Sequence, residues 1–183
     1  MALAAAISPA EFLAQERRAE MKHELLGGVV TEMPAGSFAH SALKVALIVM
    51  LSAQKRQAGF RVLDSDVRVR IPGDGYVYPD ATLVVDAQLE DSEKDVLLNP
   101  VAIFEVLSPS TESRDRKDKF DAYTTVPSVR EYVLISSTER PIEVFRRDRD
   151  VWLYSVYRDG DTALVGDGRI GLPLTDLYDE VPL

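Results

Sequence analysis

The chain has no cysteine, only two histidines (His23 and His40) and one tryptophan. Without thiols there is no disulfide, no thiolate-bound metal and no cysteine nucleophile. Two histidines are too few for a histidine-rich zinc centre, so a metal here would be a hard cation such as Mg²⁺ on oxygen ligands. No apolar run reaches the roughly 18 residues of a membrane-spanning helix, which argues against a membrane partner. Basic residues are also in deficit, 21 against 30 acidic, for a formal net charge of -9. That counts against the broad basic surface of an indiscriminate nucleic-acid binder, though not against a local basic patch. Residues 1–7 are apolar but too short for a secretory signal and carry no basic leader, so the expected location is the cytoplasm.

The remaining composition is that of a globular protein, 46% hydrophobic and 28% charged over 183 residues. This length suits one domain spanning residues 1–183, with a core that buries about two thirds of the unfolded chain's surface. Ser8-Pro9-Ala10-Glu11 combines an N-cap, a proline at the first helical position and a capping-box acid, and predicts a helix to about residue 22. Gly27-Gly28 between Leu25-Leu26 and Val29-Val30 predicts a hairpin or bulged strand pair. A second helix is expected from about residue 37 to 58. Leu43, Ala46, Leu47 and Met50 fall at helical spacing, and Val45, Ile48, Val49 and Leu51 make it apolar nearly all round, which predicts deep burial. Gly59 suits its end.

Strand patterns follow. Residues 60–63 form one run. Val67, Val69 and Ile71 alternate with charged residues, as in a half-exposed strand. A turn is expected over residues 72–75, and a short strand over 81–85. Residues 86–99 are polar and charged and read as a surface loop with room for a turn of helix. Residues 101–107 are apolar except for Glu105, the pattern of a central strand buried on both faces. A third helix is expected over about 113–125, further strands over 132–135, 142–146 and 151–157, and an irregular wrap over 172–183. The order points to an α/β (mixed α+β) fold: a mixed central sheet flanked by helices, with an additional C-terminal β-hairpin region.

Glu105 is the most unusual residue. A carboxylate inside an apolar strand loses its hydration and needs a base, a metal or an exposed strand end. A structural salt bridge explains it as well as a functional role does. Asp80 follows Pro79 at a strand entrance, where it caps a turn or, if its strand pairs with that of Glu105, shares a cation with it. The run 114–119 has the mixed charge of a solvated helix face. Asp115, Lys119 and Tyr123 nonetheless recur every four residues on one face, and the short connection from Glu105 turns that face toward the strand. Tyr123 is then either a hydrogen-bond donor to the carboxylates or a core residue. His40 shares a face with Leu43 and Leu47 and is expected to hold a neighbour by hydrogen bonding rather than act as a general base. A glycosidase would use paired carboxylates, but no aromatic sugar platform is evident. No elbow motif flanks a serine for nucleophilic catalysis.

Glu105-Val106-Leu107-Ser108-Pro109-Ser110-Thr111, followed by Asp115, Lys119, Tyr123 and Glu131-Tyr132, resembles the Uma-type restriction-endonuclease-like family, formerly a domain of unknown function, in the PD-(D/E)XK nuclease superfamily. Glu24-Leu25-Leu26 with Gly28, Met33-Pro34, Ser37 with His40, and Pro79-Asp80 continue the likeness, which runs in order over about residues 8–178. The resemblance implies a metal-dependent endonuclease that hydrolyses phosphodiester bonds of nucleic acid, DNA being the expected partner. It implies Mg²⁺ or Mn²⁺ held by Asp80, Glu105 and the Val106 carbonyl, with Glu24 as a further ligand or a support for the ligands. The usual lysine two residues after the glutamate is replaced by Leu107, and Lys119 takes its role. Ser108, Arg114, Arg116 and Lys117, and to a lesser degree Arg146, Arg147 and Arg149, are candidates for contact with substrate. A homodimer suits a nuclease of this fold, since two strands need two sites. The chain departs from the family at His23, Gly27 and Ser136, where an aromatic residue, an acid and an aspartate are usual. The competing reading is a non-catalytic binding or assembly module whose acids form a structural ion-pair network.

Overall fold

The computed structural model describes residues 7–73, 75–179 and 181–182. The expectations for residues 1–6, for Asp74 in the 72–75 turn and for Glu180 and Leu183 in the tail lie outside them. Helix α1, Pro9–Glu16, begins with the capping box read from the sequence, Ser8 and Glu11 each satisfying the other's backbone amide. It ends well before residue 22. The Glu16 carboxylate accepts from the His23 amide at 2.9 Å and lies 3.0 Å from His23 Nδ1, so the chain turns back into β1, His23–Leu26. The Gly27-Gly28 turn has φ of +59° and +79°, the left-handed pair that a two-residue hairpin requires, and it leads into β2, Val29–Glu32.

Helix α2, Phe38–Ala58, is capped by Ser37 and stopped by Gly59 in the left-handed conformation, φ 78°. Leu43, Leu47 and Leu51 are fully buried, each contributing roughly 1.5–3 kcal/mol of hydrophobic stabilisation. The expected all-round burial does not hold, because Phe38, Val45 and Val49 face solvent. An apolar sequence shows what a helix can bury but not which neighbours are present to cover it.

Strands β3 (Arg61–Asp64), β4 (Arg68–Ile71), β5 (Gly75–Val77), β6 (Ala81–Val84), β7 (Val96–Leu97) and β8 (Ala102–Leu107) follow. Strands β5 and β7 are three and two residues long, too short to show a period. Strand β7, which pairs parallel with β4, lies within the segment expected to be only a surface loop. Arg68, expected on an exposed face, is 6% exposed, with its guanidinium over the Tyr78 ring and 2.6 Å from Asp95. The third helix is α3 (Glu112–Arg114), a π-helical turn (Asp115–Lys119) and α4 (Phe120–Thr124) in unbroken succession. Strands β9 (Glu131–Ser136), β10 (Ile142–Asp148) and β11 (Val151–Tyr157) match their expected positions. Instead of an irregular wrap, the tail contributes β13 (Ile170–Pro173) and α5 (Leu174–Leu177), with β13 paired to β12 (Thr162–Val165).

The main sheet has the order β11-β10-β9-β8-β6-β3, and a second has the order β2-β1-β5-β4-β7. In the main sheet β8 runs parallel to β9 and antiparallel to β6, so the sheet is mixed, and all six residues of β8 are buried. On one face Phe104 and Val106 pack with α2, α5 and the β12–β13 hairpin. On the other, Ile103, Leu107, Tyr132 and Leu134 pack with Tyr123, Val126 and apolar residues of the second sheet. Buried Glu131 ties the C-terminal hairpin to this core, accepting from the Gly166 amide at 2.6 Å, the Asp167 amide at 3.2 Å and Arg146 Nε at 2.8 Å.

Helix α1 is held by charge. Asp95 accepts from Arg17 Nε and Nη2 at 2.9 and 2.8 Å and from Arg68 at 2.6 Å. The Arg17 hydrogen bonds, partly opposed by desolvation and reinforced by Arg68, lower its carboxyl to about 2. Because the folded-state proton affinity lies below the unfolded one, the stabilisation is fully present above about pH 4 and is lost as pH falls through the folded value. Asp95→Asn is expected to destabilise the chain at neutral pH by on the order of 1 kcal/mol, since partial exposure weakens the pairs. Thermal melts toward acid pH should show the native chain converging on the variant.

Candidate functional site

Strand β6 begins after Tyr78-Pro79-Asp80, and its antiparallel pairing with β8 reaches Ala81↔Phe104. Proline has no amide hydrogen to continue a ladder. The Asp80 carboxylate takes over one connection there, with Oδ2 accepting from the buried Val106 amide at 2.8 Å. Glu105 follows Phe104 on β8, so Asp80 and Glu105 meet at the end of one strand pair. Helix α2 adds His40, whose Nε2 is 3.3 Å from Asp80 Oδ2, and Lys44, whose Nζ is 3.8 Å from Asp80 Oδ1. These groups line a cleft of about 230 Å³ with Val106, Ser108, Thr111, Asp115 and Lys119.

The π-helical turn shapes the other wall. Such turns insert a residue into the helical ladder and change which side chains share a face. Here Asp115 and Lys119 are both buried, while residues 116–118 are exposed. Lys119 Nζ lies 3.0 Å from Glu24 Oε1, 3.1 Å from Glu105 Oε1 and 3.4 Å from Asp115 Oδ1. An ammonium has three hydrogens, and three carboxylates meet them. Tyr123 donates to Glu105 Oε1 at 2.9 Å, and the Tyr132 hydroxyl donates to the Asp115 carbonyl at 2.9 Å. Glu24 also accepts from the Tyr78 amide at 2.9 Å and from Arg114 at 2.6 Å. Its oxygens are therefore held by the protein's own donors, and it supports Lys119 from below.

Burial and the neighbouring acids push the Glu105 carboxyl well up, Lys119 offsetting only part of this. Burial likewise raises Asp115. At Asp80 burial is outweighed by His40, the Val106 amide and Lys119, which hold it below the ordinary carboxylate range. Burial disfavours the Lys119 ammonium, but Glu105, Glu24 and Asp115 outweigh it and keep the group charged. The Tyr123 hydroxyl, raised by burial and by Glu105, stays a donor.

Asp80, Glu105, Lys119, His40, Asp115, Ser108 and Val106, all singled out from the sequence, line this one cleft, and Tyr123 supports it from behind. The other candidates for substrate contact lie outside the lining of this cleft. Arg114 pairs with Glu24, and Arg116 with Glu112 and with both oxygens of Glu143. Arg146 serves Glu131, and Arg147 donates to the Thr124 carbonyl beneath Trp152. Lys117 is exposed on the outer side of the helix, and Arg149 stands at the β10–β11 turn with φ 55°. Sequence reading passed over Lys44, although it lies one turn after His40. It also missed Tyr78, beside Pro79, and Glu16, which accepts from the Tyr78 hydroxyl at 3.0 Å.

Among the described residues no three His, Cys, Asp or Glu side chains are grouped so as to enclose a metal ion. The donor set does fit a hard cation that keeps several waters. Asp80 and Glu105 supply carboxylate oxygens at one cleft, with Lys119 beside Glu105 and with His40 and Lys44 beside Asp80. Mg²⁺ binds through one or two carboxylates with water and substrate oxygens, and no closed cage is needed.

The family model described as "Uma2: Putative restriction endonuclease" matches residues 9–173, and the chain belongs to this nuclease-like family. It is 32% identical over 157 residues to a Synechocystis sp. protein named "Uncharacterized protein slr1290", covering 85% of this chain and 82% of the relative. A second Synechocystis sp. protein, "Uncharacterized protein sll1609", is 29% identical over 150 residues, covering 80% and 85%. The fold matches a crystal structure from Anabaena variabilis described as a putative nuclease belonging to DUF820. The TM-score is 0.77 at 20% identity, over 96% of this chain and 99% of that one.

Removing the ammonium while leaving its acids in place tests the electrostatics of the site. Lys119→Met is expected to destabilise the fold by about 3–5 kcal/mol near neutral pH, the usual consequence of uncompensated buried charge. The remaining carboxylates then bind protons more tightly folded than unfolded, so the loss should grow as pH rises and shrink toward about pH 5. Urea unfolding of the native chain and the variant at both extremes checks this.

Proposed function

We propose that this member of the Uma2 family is a metal-dependent endonuclease that hydrolyses phosphodiester bonds, with DNA as substrate and Mg²⁺ or Mn²⁺ as cofactor. The observation that carries the reading is the meeting of Asp80 and Glu105 at one strand end, beside a charged lysine and inside one cleft. Asp80, kept ionised by the Val106 amide and His40, and Glu105, steered by Tyr123 and Lys119, would hold the cation with the Val106 carbonyl. A bound Mg²⁺ supplies Lewis-acid polarisation of the phosphate and lowers the pKa of a coordinated water.

The chain's own groups do the rest. Lys119 fixes Glu105 and Asp115 and presents positive charge beside the reacting phosphate, where charge in a buried setting acts strongly. Lys44 and His40 face the same cleft from α2 and suit the phosphate's outer oxygens. An acidic protein can act on an acidic polymer here because attraction is needed only at the cleft, through the cation and Lys44. Among the described residues no helix is long and apolar enough to cross a membrane. A cytoplasmic location is part of the proposal.

One observation favours a second reading, a non-catalytic module. The Lys119 hydrogens are already matched by three carboxylates, as in a purely structural ion-pair network. A cleavage assay separates the two. The nuclease reading expects nicking or cutting of DNA with Mg²⁺ or Mn²⁺, abolished by chelation, and slowed on the order of 1000-fold in Asp80→Ala and Glu105→Ala. A well-folded native chain that cuts neither DNA nor RNA with either cation would leave the module.

A further inference from the structure

The outer face of α2 is largely apolar from Phe38 to Val49, with Ser41 as its polar member, yet open to solvent. Phe38, Val45 and Val49 are 75%, 60% and 61% exposed, and they follow one another at helical spacing. From Phe38 to Gln54 the only charged or titratable side chains are His40 and Lys44, and both turn aside to Asp80. Four turns of solvent-facing helix thus carry no charge, whereas a surface helix normally presents a polar face. Ala42, Ala46 and Ala53 keep the backbone accessible to a close neighbour. Phe38, Ala42, Val45 and Val49 line a shallow groove whose far wall includes Asp176 and Asp179.

We propose that a second copy of this chain docks on this face, α2 against α2, antiparallel about a two-fold axis. Charge selects the partner and the direction. The acids Asp176 and Asp179 flank the first half of α2, and Arg56 stands in its last turn. Among the described residues none of these three forms an ion pair. An isologous interface must be complementary to itself. With the axis midway between Val45 and Val49, Val45 of one protomer meets Val49 of its partner, Ala42 meets Ser52, and Phe38 meets Arg56. Arg56 then arrives over the Phe38 ring beside Asp176 and Asp179, at both ends of the pair. A parallel arrangement would instead oppose Arg56 to Arg56 and acid to acid. The interface also accounts for a helix that is apolar all round but covered on only one side by its own chain. Nothing in the argument depends on the cleft being a nuclease site, so the two readings fail separately.

The test is the mass of the full chain in solution, by light scattering and sedimentation equilibrium over micromolar to submillimolar concentration. The native chain is expected to be a dimer. Val49→Glu should raise the dissociation constant roughly 100-fold or more, with circular dichroism and melting behaviour of the monomer unchanged. Arg56→Glu should weaken association roughly 10-fold, and the triple variant with Asp176→Arg and Asp179→Arg should recover it, a result that loss of folding cannot imitate. A native chain that stays monomeric throughout, or a Val49→Glu variant that dimerises as tightly as the native chain, would overturn the proposal.

Discussion

A single buried ammonium organises this molecule. Lys119 faces Glu24 from β1, Glu105 from β8 and Asp115 from its own π-helical turn. Its three partners thereby join the two sheets and the helix between them. Each carboxylate alone would be strongly unfavourable away from water. Placed around one cation, and helped by Arg114, Tyr123 and the Tyr78 amide, they become the contact that sets how the second sheet sits over the first. Apolar packing backs this point on the side away from the cleft, but packing is tolerant of small slides, whereas ion pairs of about 3 Å are not.

The same arrangement perturbs the acids it gathers. Burial, with a smaller push from neighbouring acids, leaves Glu105 and Asp115 binding protons more readily than ordinary carboxyls even though Lys119 pairs with both. Perturbed groups of this kind concentrate at functional sites. Asp80 differs. Its hydrogen bond from the Val106 amide and its contact with His40 keep it ionised. Two carboxylates of opposite tendency at one strand end, with a lysine between sheet and helix, are consistent with the nuclease-like family to which the chain belongs.

Much of the site was legible because its residues contradict their surroundings. Glu105 stands out as the one charge in an apolar strand, Asp80 through the proline before it, and Lys119 through its spacing from Asp115 and Tyr123. Pairing over long separations was not legible. Arg114 finds Glu24 and Arg116 finds Glu143 across 90 and 27 residues, and nothing local distinguishes such arginines from phosphate-binding ones. The main-sheet strands were readable from their apolar runs, while β5 and β7 are too short to carry a pattern. The extent of α1 was misread because its end is decided by Glu16 reaching His23, a side-chain event. The outer face of α2 was misjudged because an apolar pattern does not specify what covers it.

The most direct test of the account is an anomalous-difference map from a crystal of the native chain soaked with Mn²⁺. The account predicts one strong peak in the cleft, within bonding distance of carboxylate oxygens of both Asp80 and Glu105, with Glu24 still held by Lys119 and Arg114. An empty cleft at a cation concentration that saturates other sites, or a peak that avoids either carboxylate, would contradict it.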